Sequence, residues 1–159
     1  MYTTEPIARD VHDAWFTRQM QGGDRQGWVI EMDGAGVGAA FISEVDDVNR
    51  RATWAFYLAD PVTRGRGVGS AVEFLVLEEV FTARGLHKLC CEVLSFNAAV
   101  VTMHKKFGFQ EEGVLREHYL RDGEWVDVHV LAMFDHQWAE RRDGFRDKLR
   151  SRGLIDERA

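Results

Sequence analysis

Cysteine, proline, positive charge and long apolar runs are all scarce in this chain of 159 residues, and each scarcity closes off a class of protein. The two cysteines, Cys90 and Cys91, are adjacent. On a strand they face opposite sides and cannot easily pair, so they read as strand thiols and not as a disulfide framework. No Cys-x-x-Cys occurs, and the six histidines show no closely spaced ligand motif, so no metal site is expected. No apolar stretch approaches the roughly 20 residues that span a bilayer. Met1 to Pro6 lacks the basic and then apolar pattern of a secretory signal. Lys and Arg number 20 against 26 Asp and Glu, a net charge of −6, which argues against a nucleic-acid backbone or an anionic membrane as partner. Repeats, low-complexity tracts and linkers are absent too. What is left is one cytoplasmic globular domain over 1–159, with 45% hydrophobic and 29% charged residues.

Within it two periodicities alternate. Val11, Trp15 and Phe16 line one side of Ile7–Met20, a helix stopped near Gly22-Gly23. Gly27–Asp33 and Gly36–Val45 read as strands paired about Asp33-Gly34, and Arg50–Ala59 as a third strand. Val68, Val72, Leu75, Val76 and Val80 mark a long helix over Gly67–Arg84, closed by Gly85. His87–Leu94 is a fourth strand, and Asn97–Phe107 a short helix closed by Gly108. Asp122-Gly123 predicts a hairpin between Gly113–Leu120 and Glu124–Phe134. Trp138, Phe145 and Leu149 suggest a terminal helical extension over 138–159, interrupted at Gly144, after a core over 1–137. Strands joined by crossover helices make an α/β layered domain.

The strongest local signal is Arg64-Gly65-Arg66-Gly67-Val68-Gly69-Ser70, between the third strand and the long helix. N–H groups at a helix start lack intrahelical partners, and the helix dipole adds partial positive charge. Glycines let that backbone approach an anion, so the loop is either a pyrophosphate cradle or simply a tight turn. A Walker loop is excluded by the missing Lys-Ser/Thr ending, and a full G-x-G-x-x-G by Val72. Arg-x-x-Gly-x-Gly after Ala59-Asp60-Pro61 resembles the acetyl-CoA loop of the GCN5-related N-acetyltransferases, the GNAT superfamily.

A second segment carries the same resemblance. Asn97 to Phe109 is similar to the GNAT stretch in which Asn opens a helix, Tyr lies seven residues on, and Gly-Phe closes it. Seven residues is about two turns, so positions 97 and 104 share a face. This chain has His104 where the family has Tyr. The resemblance implies a mixed, largely antiparallel sheet with helices on both faces, and acetyl-CoA as co-substrate. Its cofactor contacts would be Leu58, Ala59, Arg64, Arg66, Gly67, Val68, Gly69, Ser70 and Asn97, with backbone donors at Leu58-Ala59 for the acetyl oxygen. His104 would protonate the leaving thiolate, since imidazole titrates near neutral pH; otherwise it packs or is solvated.

Within the superfamily, Lys106 to Glu117 with Asp127-Val128 and Trp138 looks like the UDP-amino-sugar N-acetyltransferases of pseudaminic-acid synthesis. That resemblance implies a nucleotide-sugar acceptor and a role in surface-glycan formation. Paired arginines, Arg50 and Arg51, could clamp a UDP pyrophosphate, or be a solvated turn. A two-residue turn at Asp122-Gly123 sets His118 opposite Asp127 and Arg116 opposite His129, a polar face for a sugar or for solvent. His12 matches a histidine of that subfamily near the nucleotide. Protein N-terminal or polyamine acetylation is the alternative, a non-catalytic acetyl-CoA-binding module the other, and a homodimer fits either. Family members also carry a strand and helix ahead of the segment matching Met1–Trp15, so a misassigned start or a sheet short by one edge is expected.

Overall fold

The computed structural model describes residues 8–11, 14, 17 and 25–156. The expected helix over Ile7–Met20 falls largely outside them, as does His12. After helical residues at 9–11, 14 and 17 come three antiparallel strands, β1 (Arg25–Met32), β2 (Ala35–Asp46) and β3 (Arg51–Leu58). A 3-10 turn at Pro61–Thr63 leads to α1 (Val68–Leu77), which continues as a π-helical turn over Glu78–Ala83. Then come β4 (Lys88–Leu94), α2 (Ala98–Phe107), β5 (Gln110–Arg121), β6 (Glu124–Phe134) and α3 (Asp135–Ser151). The six strands form one sheet in the order β1-β2-β3-β4-β6-β5. Among the described strands only β3 and β4 run parallel, because α1 supplies the long crossover that a parallel pair requires.

Both Asp-Gly pairs make the turns expected of them. Asp33 and Gly34 have φ of 53° and 78°, Asp122 and Gly123 of 51° and 83°, the left-handed pair a two-residue hairpin turn needs. The register of the second hairpin differs from expectation. Arg121, Leu120 and Tyr119 face Glu124, Trp125 and Val126, but Leu115 then faces Val128 and Val114 faces His129. Three residues, Arg116 to His118, bulge against one. Glu117 turns left-handed, with φ of 49°, and its N–H donates to the Asp127 carboxylate at 2.7 Å instead of to a strand carbonyl. Arg116 therefore does not face His129, and His118 has no ladder partner.

Helices α1, α2 and α3 pack together on one face of the sheet. Phe74 of α1 meets Trp138 of α3 edge-on, and Phe107 of α2 stacks on Phe145 of α3 with centroids 4.2 Å apart. Ile42, Trp54, Leu89, Leu131 and Met133 form the floor beneath them. The opposite face buries Ala39, Phe41, Val128 and Ala132. Leu75, counted with the apolar stripe of α1, is in fact about half exposed, and the buried side takes in Glu73 and Phe74. Helix α3 starts at Asp135 and runs unbroken through Gly144. Glycine there costs about 1 kcal/mol. Burial of Trp138 and Leu149 on either side outweighs it, at roughly 1.5–3 kcal/mol for each large apolar side chain.

Candidate active site

The sheet opens where its one parallel pair comes apart. β3 and β4 are paired at Arg51 and Lys88, Ala52 and Leu89, and Thr53 and Cys90, and no further. Beyond that point β3 continues against β2 as far as Leu58, and β4 against β6 as far as Leu94. A wedge is left between the two strands. Successive backbone groups of a strand point to alternate sides. Tyr57 lies opposite Ala39 and the Ala59 N–H donates to Val37 at 2.8 Å, so the polar backbone groups of Phe56 and Leu58 face the wedge. This corrects one expectation. Leu58 keeps a donor for a ligand oxygen, whereas the donor of Ala59 is already bonded to β2.

The glycine loop closes one side of this wedge. The Asp60 carboxylate accepts the Val62 N–H at 2.8 Å, and the buried Thr63 hydroxyl donates to the Asp60 carbonyl at 2.7 Å, which fixes the entry. Gly65 and Gly67 then take φ of 71° and 80°. The first bond of α1 runs from the Ala71 N–H to the Gly67 carbonyl at 3.1 Å, and no side chain caps the helix. The N–H groups of Gly67, Val68, Gly69 and Ser70 thus lack an intrahelical acceptor, the arrangement that receives an anion. Arg64 and Arg66 are exposed beside them, Arg66 with its guanidinium 3.6 Å from Asp33. A Cβ on Gly69 would lie 3.3 Å from the Met103 sulfur, so glycine lets α1 approach α2 closely here. On Gly67 a Cβ would lie 2.7 Å from the Leu154 side chain.

α2 closes the other side. Asn97 stands at its N-cap but makes no capping bond, so its carboxamide is left for other partners. One turn before the end of the helix, His104 is 2% exposed. Its ring lies among Trp54 and Phe56 of β3, with centroids 5.3 and 6.5 Å away, and Phe109 at 5.3 Å. Nδ1 is 2.8 Å from Oε1 of Glu73, itself fully buried. Burial pushes the Glu73 carboxyl up from its ordinary value, against the opposing hydrogen bond and charge of His104. Sequence reasoning passed over Glu73. A signal was there, since Glu73 is the one charged residue in the apolar run Ala71–Leu77.

The expected acceptor residues do not assemble. Arg50 and Arg51 enter β3 at the end away from the wedge, about 23 Å from Leu58 at ~3.3 Å per strand residue. Arg50 donates to the Gly85 carbonyl at 2.6 Å, and Arg51 sits 3.4 Å from Asp46. Both arginines fasten a turn and neither lines the wedge. His129 is 3.1 Å from Glu111, which also takes Lys105 at 2.9 Å, while Glu112 takes Lys88 at 2.7 Å. His118 packs edge-on against Tyr119. Of the hairpin residues, the segment from Arg116 to His118 and Asp127 lie at the wedge end of the sheet. A separate cavity of about 470 Å³, lined by Phe81, Thr82, Asp135, His136, Trp138 and Arg142, lies at the opposite end.

A sheet whose parallel pair splays beside a partnerless helix start agrees with the comparisons to known proteins. The family profile described as "Acetyltransferase (GNAT) domain" matches residues 1–110. The chain belongs to the GNAT acetyltransferase family. Among GNAT relatives, the spermidine N(1)-acetyltransferase of Escherichia coli K12 is 28% identical over 111 residues, covering 70% of this chain and 59% of that protein. The SPbeta prophage-derived N-acetyltransferase YokL of Bacillus subtilis is 30% identical over 121 residues, covering 75% and 67%. Spermidine N-acetyltransferase from Vibrio cholerae, solved with CoA and spermine, superposes with a TM-score of 0.77 at 20% identity, over 87% of this chain and 82% of that one. This chain thus spans about 59% of the length of the spermidine enzyme from Escherichia coli. Spermidine enzymes stand among the relatives, beside an L-amino acid and an L-methionine sulfoximine acetyltransferase, where the motif around Glu111 to Glu117 had suggested UDP-sugar enzymes. Glu111 and Glu112 are engaged in ion pairs within the domain, which accounts for that motif without a sugar. No helix among the described residues is long and apolar enough to cross a membrane.

Proposed function

We propose that this domain transfers the acetyl group of acetyl-CoA to a primary amine of a small polyamine. One observation carries the reading: the β3–β4 wedge has an anion-ready helix start on one side and backbone donors on its wall. In this reading Gly67 to Ser70, with Arg64 and Arg66, take the pyrophosphate of acetyl-CoA, and Asn97 contacts its pantetheine arm. The Leu58 N–H polarises the thioester carbonyl, where charge develops as the amine attacks. Positioning contributes most of the rate, because a neutral amine held against a thioester needs little further help. His104 supplies the proton taken up by the departing sulfur.

The polyamine acceptor is supported by the spermidine relatives and by charge. The wedge end of the hairpin carries Glu117 and Asp127 beside Arg116, and the whole chain is acidic. Carboxylates recognise ammonium groups, and Arg50 and Arg51, the pair expected to hold a UDP pyrophosphate, are too distant from the wedge to do so. Thiol release from acetyl-CoA, measured with spermidine, a short peptide with a free N-terminus and a UDP-linked amino sugar, tests this. Spermidine is expected to give the highest kcat/KM. Turnover of the sugar alone would restore the nucleotide-sugar reading. Saturable acetyl-CoA binding without turnover of any amine would make the domain a binding module.

A further inference from the structure

We propose that Glu73 is a positioning residue for the reaction, holding the Nδ1 proton of His104 so that Nε2 is the nitrogen that exchanges protons at the wedge. This rests on the acetyl-transfer reading above. The two side chains come from different helices, Glu73 from α1 and His104 from α2, and meet at 2.8 Å with 0% and 2% exposure. A fully buried carboxylate is costly unless it has a partner, and Glu73 is not needed to fill the core, where leucine would serve. Among the described residues its second oxygen, Oε2, has no hydrogen-bond partner, so Glu73 is present for His104 and not for a wider network. The described neighbouring groups give it no other charged partner. Trp54 on β3, Phe109 ahead of β5 and the Cys91 thiol on β4 surround the pair, and Cys91 is held protonated by burial and by the nearness of Glu73.

The proton balance follows from that pairing. In the protonated ring Nδ1–H is held on the Glu73 carboxylate and Nε2–H is free. The amine nitrogen attacks the thioester carbon, the carbon–sulfur bond breaks, and sulfur leaves with the electron pair. The thiolate takes the Nε2 proton, and His104 remains as the neutral Nδ1–H tautomer that Glu73 selects. The attacking amine loses one proton to water, and His104 regains one from water before the next turnover. A buried ring thereby keeps one tautomer throughout, the part a carboxylate plays for histidine in hydrolytic triads.

Glu73→Gln keeps the shape and an accepting oxygen but removes the charge, and the full chain bearing it is compared with the parent in two measurements. Nitrogen-15 NMR of the His104 ring reports the tautomer without turnover. The parent is expected to show Nδ1 protonated in the neutral ring, and the variant a mixture of the two tautomers, because an amide can donate to Nδ1 as well as accept from it. Kinetics with acetyl-CoA and spermidine are expected to show kcat reduced roughly tenfold and KM for acetyl-CoA unchanged. Glu73→Asp, an acceptor only, is expected to recover part of kcat. An unaltered tautomer, or a normal kcat, in folded Glu73→Gln protein overturns the proposal. A parent that acetylates no amine, yet shows the Glu73-dependent tautomer, refutes the acetyl-transfer reading and leaves the pairing supported.

Discussion

Arg142 donates to both carboxylate oxygens of Glu78, Nε to Oε1 and Nη2 to Oε2, each at 2.6 Å. Glu78 also accepts the Trp138 indole N–H at 3.0 Å, so one carboxylate joins the π-helical turn after α1 to two successive turns of α3.

Glu78→Gln is expected to cost about 1.5–3 kcal/mol at neutral pH, the worth of a charge-assisted bond. Burial alone would raise the Glu78 carboxyl, but bonds from Arg142 and Trp138 and the charges of Arg142 and Arg146 outweigh it and hold it below its ordinary 4.5. A lowered carboxyl contributes stability above its unfolded value and loses it as pH falls through the folded one. Denaturant unfolding of parent and variant should therefore differ most above pH 5 and converge on acidification. A difference that persists undiminished at pH 3 would assign the effect to packing.

His104→Leu is expected to destabilise the fold by about 3–5 kcal/mol, because it strands a buried carboxylate. Adding Glu73→Leu should return most of that loss. Since burial raises the Glu73 carboxyl, the stability its proton confers is complete below 4.5 and is lost as pH rises through the folded value. In His104→Leu protein, with the opposing imidazole gone, unfolding free energy should slope downward with pH above 4.5, and the double variant should lack that slope. A flat profile in the single variant would mean that water reaches the carboxyl.

Gly69→Asp is expected to abolish acetyl-CoA binding, by setting a negative charge among N–H groups that receive an anion. Gly69→Ala is the control. Its Cβ meets the flexible Met103 thioether at 3.3 Å and the Phe56 ring at an ordinary 3.9 Å, so the fold should hold. Calorimetry that finds equal affinity in parent and Gly69→Asp would remove the loop from the cofactor site.

Arg51→Ala is expected to leave both acetyl-CoA affinity and amine turnover at parental values, its partner being Asp46 at an exposed turn. Arg50→Ala should cost about 1 kcal/mol in stability, through the lost bond to Gly85, and nothing in KM. A tenfold rise in acceptor KM for either variant would contradict the placement of these residues away from the wedge.

Much of this arrangement is legible in the sequence because it depends on backbone chemistry that few residues satisfy. Asp-Gly pairs fix two hairpins, and Gly108, at φ of 118°, ends α2 where expected. The glycine loop and Asn97 bracket a strand, which is enough to place the wedge. What was missed depends on relations between distant segments. Nothing in Arg50-Arg51 says which end of β3 lies at the wedge; that follows from where β3 and β4 part. The bulge from Arg116 to His118 is set by an Asp127 carboxylate replacing a ladder carbonyl, which no count from the turn can include. Gly144 is tolerated because its neighbours Trp138 and Leu149 are buried, a fact of packing and not of propensity. Glu73 is hidden for the same reason, a charge inside an apolar run whose partner lies 31 positions later.

Leu154 gives the glycine loop a mechanical connection to the turn that follows α3. Its side chain rests where any substituent on Gly67 would project, and its N–H closes the last turn of α3 on the Leu149 carbonyl at 3.0 Å. The loop is thus clamped by a lever rooted in α3, whose buried Leu149 anchors it to the core. Cargo joined to the chain shortly beyond Leu154 would pull on that lever, so a tag there is a load applied to the glycine loop, whereas one on the Asp33-Gly34 hairpin bears on it through Arg66 and through β2, whose Val37 carbonyl holds Ala59 at the loop's entry.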